Sequence, residues 1–138
     1  MKLNAYLHYG SNCAEAFRFY EQHLDGKITM MLTFDQMPGD KSQIPPGAEK
    51  LVMHARILIA GTELMGSDDP NNDGPMRSAY LTLSLDTDAE VERLYALLSD
   101  GGTIFMKMEE TFFATRFAML RDRFGTSWML IHQRPPQA

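Results

Sequence analysis

His8, His54, Glu63 and His132 are the side chains whose types could hold a metal ion or move a proton. His54 lies in a strand-like stretch. There Leu51, Met53, Ala55, Ile57 and Ile59 point one way and Val52, His54, Arg56 and Leu58 the other. That parity sets His54 beside Arg56 on the more polar face; a histidine bonded to a neighbouring carbonyl is the competing reading. Glu63 is either a carboxylate turned into a cavity or a solvent-exposed strand-end group. His132 stands near the chain end and reads as surface. His54 and Glu63 together fall short of the three protein ligands of a catalytic metal site. Cys13 opens a helix, where a thiol can ionise early, but the sequence offers it no base and it reads as buried and inert. Arg116 could present a fixed cation to an anionic ligand, with a salt bridge to Glu109 or Glu110 as the alternative. Glu110-Thr111-Phe112-Phe113 sets two aromatics in a bend, either as a pocket wall or as a hydrophobic turn at a dimer contact. The sequence shows no nucleophile elbow, cysteine–histidine signature or phosphate loop.

The elements that must position these residues come in two related sets. Asn12-x-x-Glu15, Tyr20 and Asp25-Gly26 recur as Thr87-x-x-Glu90, Tyr95 and Asp100-Gly101, all 75 residues apart. Gly61-Thr62-x-Leu64-Met65 recurs as Gly125-Thr126-x-Trp128-Met129, 64 apart. In the first half, residues 3–9 read as a strand. Asn12 and Glu15 form a capping box, Ala16, Phe17, Tyr20 and Leu24 a helical stripe, and Gly26 a left-handed stop. Strands at 27–34, 51–59 and 62–67 follow, separated by a proline-rich loop at 35–50 that accounts for the shorter second offset. Ser67 to Gly74 is acidic and turn-rich and reads as the linker. The second half repeats the order, with Thr87 and Glu90 as capping box, Val91, Leu94, Tyr95 and Leu98 as stripe, and strands at 103–109, 114–121 and 127–133. The tail from Arg134 reads as frayed.

A chain of 138 residues, 44% apolar and 22% charged, is long enough for a core without disulfide staples. A net charge of −5 disfavours a nucleic-acid partner, which needs a concentrated basic surface. A single cysteine permits no intrachain disulfide. Neither a signal-peptide core nor a membrane-length apolar run is present, so a cytoplasmic protein with no membrane partner is expected.

Tyr6-Leu7, Asn12 through Tyr20, Val52-Met53-His54-Ala55, Leu64 through Asp68 and Glu109 through Met129 together resemble the glyoxalase, bleomycin-resistance and extradiol-dioxygenase superfamily, in its PhnB-like branch. The resemblance covers nearly the whole chain. It implies an α+β fold of two paired βαβββ modules forming a curved, incompletely closed eight-stranded sheet around a central cavity. One domain is expected, with module one at about 1–68, a linker at about 69–76 and module two at about 77–134. The label demethylubiquinone methyltransferase, which some members carry, finds no glycine-rich nucleotide loop here.

In metal-dependent members, ligands come from the first and fourth strands of each module. Carried over through the family motif and the two offsets, those positions are Ala5, Met65, Tyr80 and Met129. Alanine has no donor atom, thioethers prefer soft ions and a neutral phenol is a poor ligand, so no metal or other cofactor is expected. His8, three residues from Ala5, is assigned by parity to the helix side. Met65, Tyr80 and Met129 should instead floor an apolar cavity, with Thr82, Ser84 and Ser127 adding hydroxyls. His54, Glu63, Phe112, Phe113 and Arg116 stand as further candidates for its lining. The function expected is binding of a small hydrophobic molecule, aromatic or anionic, by a homodimer. A lyase, dioxygenase or transferase using displaced divalent-metal ligands and a protein-interaction module are the alternatives.

Overall fold

The repeat folds twice. In the computed structural model, which describes residues 2, 4–71, 74–75 and 79–135, the chain divides into two compact units, Met1–Gly74 and Pro75–Ala138. The first holds β1 (Ala5–Tyr9), α1 (Cys13–His23), β2 (Lys27–Thr33), β3 (Val52–Ile59) and β4 (Thr62–Asp68). The second holds β5 (Leu81–Ser84), α2 (Asp88–Ser99), β6 (Thr103–Glu109), β7 (Ala114–Arg121) and β8 (Ser127–Gln133). Both are strand, helix and three strands, so the class is α+β. The eight strands are apportioned as two four-stranded sheets, ordered β1-β4-β3-β2 and β5-β8-β7-β6. In each, the first strand runs parallel to the fourth and the remaining pairs are antiparallel. Met1, Leu3 of the expected first strand, Asn72, Asp73 and Met76 of the linker, Arg77 and Ser78 at the start of the second module and residues 136–138 lie outside the described residues.

Side-chain alternation decides which face of each sheet its helix covers. In the first unit, Ala5 pairs with Leu64, Leu7 with Gly66 and Tyr9 with Asp68, while Ala55 and Ile57 stand opposite Gly66 and Leu64. These positions form the face under α1, which buries Cys13, Ala16, Phe17 and Tyr20. Close approach needs Gly66, because a Cβ there would sit 2.9 Å from the Phe17 ring. In the second unit, Val91, Leu94 and Leu98 of α2 are buried with Ala118 and Leu120 of β7 and Trp128 and Leu130 of β8. Burying one such large apolar side chain stabilises the fold by about 1.5–3 kcal/mol.

The helix ends depart from expectation in instructive ways. The Asn12 side chain makes no cap bond to α1. Buried Asp68 at the end of β4 accepts the Cys13 N–H instead, at 2.9 Å, and the Val52 N–H at 2.8 Å. Ser67 and Asp68 therefore belong to the sheet, not to the linker. Asp25, not Gly26, takes the left-handed conformation after α1, with φ 50. Gly26 is needed for space, its Cβ position lying 3.0 Å from Ile57 Cδ1. At α2 the expected cap is found: Thr87 Oγ1 accepts the Glu90 N–H at 3.1 Å. The tail is anchored at its start, because Arg134 donates to the Thr111 carbonyl at 3.0 Å and pairs with Glu110. Among the described residues no helix is long and apolar enough to cross a membrane.

Candidate functional site

Each sheet has a second face, turned away from its helix, and the two differ in chemistry. In the first unit, Tyr6, Met65, Arg56 and Met30 stand in one row across β1, β4, β3 and β2. Next to it, His8 pairs with Ser67 and His54 with Leu32. A polar chain crosses these rows. The Tyr6 hydroxyl lies 3.0 Å from His54 Nδ1, with the two rings stacked at 5.7 Å. Arg56 Nε donates to His54 Nε2 at 3.2 Å, and Arg56 Nη1 lies 3.5 Å from Glu63 Oε1. His54 and Glu63, singled out from the sequence, are thus joined through Arg56, and Met65 lies beside them. Tyr6 is the member that sequence reasoning missed. Its signal was available in the alternation of Ala5, Leu7 and Tyr9 with Tyr6 and His8: the set without the histidine marks the helix side, where Leu7 and Tyr9 are buried, and leaves Tyr6 and His8 on the other.

That register corrects two assignments. Ala5 faces the helix side with Leu7 and Tyr9, and His8 is exposed on the side of Tyr6. The position alongside Met65 belongs to Tyr6. In the second unit Thr82 pairs with Met129 as Tyr6 does with Met65. The four strand positions are then Tyr6, Met65, Thr82 and Met129, and Tyr80 stands just ahead of β5. Neither a phenol beside a thioether, as in the first unit, nor a hydroxyl beside a thioether, as in the second, fits a hard divalent ion. Both ring nitrogens of His54 are engaged, and among the described residues no group of three His, Cys, Asp or Glu could hold a metal.

The corresponding face of the second unit is apolar. Phe117 and Ile131 are buried there with Ala114, and Met106, Met119 and Met129 pack against them. Phe113 meets Phe117 edge-on at 5.1 Å, while Phe112 is 92% exposed at the tip of its turn. Tyr80, 40% exposed, contacts the Phe105 ring at 6.3 Å, and the Arg121 guanidinium lies over that ring at 5.4 Å. Met129, Phe113 and Tyr80 thus have aromatic or thioether neighbours. No hydrogen-bonded chain like that of the first unit crosses this face among the described residues.

Arg116 is placed differently from the ligand-facing cation considered above. It pairs with His132 across the helix side of the sheet. Its Nε lies 3.2 Å from Glu92 Oε1 and its Nη1 3.6 Å from Asp88 Oδ2, so α2 supplies its counter-charges instead of Glu109 or Glu110. His132 Nδ1 lies 2.8 Å from Asp88 Oδ1, which also accepts the Thr115 hydroxyl at 2.5 Å. The Thr115 bond first, then His132, hold the Asp88 carboxyl below its ordinary pKa. His132 also lines a cleft of about 300 Å³ with Ser84, Leu85, Asp86 and Gln133. By the repeat, Asp88 and His132 occupy the places of Cys13 and Asp68, so each unit ties the start of its helix to the end of its fourth strand. Cys13 itself is fully buried, and burial first, then Asp68, push its thiol up to about 12.

Comparison with known proteins places this geometry. The profile of the family described as 3-demethylubiquinone-9 3-methyltransferase matches residues 1–131. The crystal structure of protein PA1353 from Pseudomonas aeruginosa is 34% identical over 98% of this chain and 99% of that one, with a TM-score of 0.86. A putative 3-demethylubiquinone-9 3-methyltransferase, the PhnB protein from Bacillus cereus, is 25% identical over 96% and 99%, with a TM-score of 0.81. A glyoxylase/bleomycin resistance protein/dioxygenase domain from Frankia sp. EAN1pec, 14% identical over 99% and 95% with a TM-score of 0.67, shares the fold alone.

Proposed function

We propose a small-molecule-binding role, without the metal chemistry of the wider superfamily, for this chain, which belongs to the PhnB-like family described as 3-demethylubiquinone-9 3-methyltransferase. The observation that carries this reading is the pair of side chains at the strand positions of each unit. Tyr6 with Met65, and Thr82 with Met129, suit an organic ligand far better than a hard cation. Methionines adapt to irregular apolar shapes, and the first unit adds one polar chain to orient what lies on it. A displaced metal site built on His54 and Glu63 is disfavoured, because His54 bonds Tyr6 and Arg56, and Glu63 balances Arg56. Methyl transfer is not carried over from the family description.

Exposed Phe112 supports a second, compatible element, self-association into a homodimer through this turn. The net charge of −5 argues against a nucleic-acid partner. Metal analysis of dialysed protein tests the main reading. Well under one equivalent of Zn, Ni, Mn or Fe is expected, together with thermal stabilisation by members of an apolar metabolite library. Stoichiometric metal that survives dialysis and is lost in His54→Ala would overturn it.

A further inference from the structure

We propose that Tyr6 is the ligand-holding donor of the first unit and that its ligand presents an anionic oxygen on an apolar body. This rests on the small-molecule reading above and gives that ligand its chemistry. The argument is one of proton placement. Arg56 Nε always carries its hydrogen and never accepts, so at 3.2 Å from it His54 Nε2 is the acceptor. A neutral imidazole that accepts at Nε2 holds its single proton on Nδ1. That proton points to the Tyr6 oxygen 3.0 Å away. The phenol is then an acceptor toward His54, and its own hydrogen is directed elsewhere. Tyr6 has no other hydrogen-bond partner among the described residues and is 41% exposed, so the hydrogen is presented to whatever lies on this face.

A hydroxyl that accepts one hydrogen bond becomes a stronger donor for the next. Its best partner is an anionic oxygen: a carboxylate, a phenolate or an enolate. Glu63, 3.5 Å from Arg56 Nη1, offsets the guanidinium charge, which leaves the phenol as the neutral donor on this face. The surroundings specify the rest of the ligand. Met65 adjoins Tyr6 in the sheet, the His8 ring lies 5.4 Å from the Tyr6 ring, and Met30, Leu32 and Leu58 add apolar surface farther along the same face.

Two probes with the same aromatic body test this: 1-naphthoate and neutral 1-naphthalenemethanol, titrated into the full chain by fluorescence. Wild type is expected to bind the carboxylate tighter by about tenfold or more, since a hydrogen bond to a charged group outweighs one to a neutral oxygen. Tyr6→Phe, which removes only the exposed hydroxyl, should weaken naphthoate about tenfold and the alcohol at most about twofold. Binding of both probes with a preference untouched by Tyr6→Phe overturns this inference and leaves the small-molecule reading standing. Binding of neither probe overturns it too, and a blank metabolite library then removes the broader reading. An arm independent of ligand is long-range proton–nitrogen correlation at His54, where the Nδ1–H form is expected and the Nε2–H form would refute the argument.

Discussion

Asp68→Asn should be among the most damaging single-atom exchanges in this chain. The carboxylate is 5% exposed and uses its two oxygens separately: Oδ1 takes the Cys13 N–H at 2.9 Å and Oδ2 the Val52 N–H at 2.8 Å. Both partners are buried, Cys13 at 0% and Val52 at 1% exposure, so water does not replace what is lost. Asparagine keeps the shape but has one oxygen. Whichever way the amide turns, its NH₂ faces one of the two N–H groups. One charge-assisted bond is then lost at about 1.5–3 kcal/mol and the other becomes a neutral bond worth about 1 kcal/mol less. Loss of the negative charge at the start of α1 adds about 0.3–1 kcal/mol. The total, about 3–5 kcal/mol, is a large share of the roughly 5–15 kcal/mol that holds a domain together. Urea unfolding followed by far-UV circular dichroism should show a midpoint lowered by about 2–3 M. Trp128, the only tryptophan, lies in the second unit, so its fluorescence reports whether that unit unfolds with the first or by itself. A loss of under about 1 kcal/mol in the dichroism transition would refute the reasoning, since a buried N–H group cannot be left unpaired so cheaply.

Three further outcomes are expected. Gly102→Ala should be far more destabilising than Gly101→Ala, although Gly101 has the positive φ of 75. A Cβ at Gly102 would lie 2.2 Å from the Arg121 carbonyl, against about 1 kcal/mol for an alanine in the left-handed region; urea midpoints that rank the two the other way would contradict this. Because Thr115 first and then His132 hold the folded Asp88 pKa below 3.8, the unfolded chain takes up the proton first as the pH falls. The contribution of Asp88 is therefore full above the unfolded pKa and lost as the pH drops through the folded one. The urea-midpoint gap between wild type and Asp88→Asn should be present at about pH 5 and close below about pH 4, and a gap that widened below about pH 4 would refute the linkage. Cys13, with its thiol pushed up to about 12, should resist a disulfide reagent at pH 8 in the native protein and react fully in urea; prompt native labelling would show that burial does not protect it.

Where the sequence was read correctly and where it slipped have one physical origin, the difference between local and lateral information. The strands at 103–109, 114–121 and 127–133 are legible because their limits are set by glycines and turns within the chain, and they are observed with those limits. The fold followed from the two echoes for the same reason. The site depended on something lateral, the register of β1 against β4. The helices repeat at 75, and applying that offset to the first strands pairs Ala5 with Tyr80. The sheets pair otherwise: Ala5 matches Leu64 as Leu81 matches Trp128, so the first strands repeat at 76 while the fourth strands keep 64. The missing residue is in the connection, where Gly10, Ser11 and Asn12 join β1 to α1 but only two residues, Asp86 and Thr87, follow Leu85 before α2. In a strand, a shift of one residue exchanges the faces. The family motif put the first-strand position at Ala5, one residue short of Tyr6, and so sent His8 to the wrong side; the offset of 75 in place of 76 added a second step, giving Tyr80 where Thr82 stands. Arg116 escaped for a related reason: its partners, Asp88 and Glu92, are 28 and 24 residues away in the chain, and only the packing of α2 on β7 brings them to it. Buried Leu7 and Tyr9, taken as the helix face of β1, would have fixed the register without the repeat. A duplication is thus a sound guide to architecture, but it transfers a site only after each strand's own alternation has been checked against it.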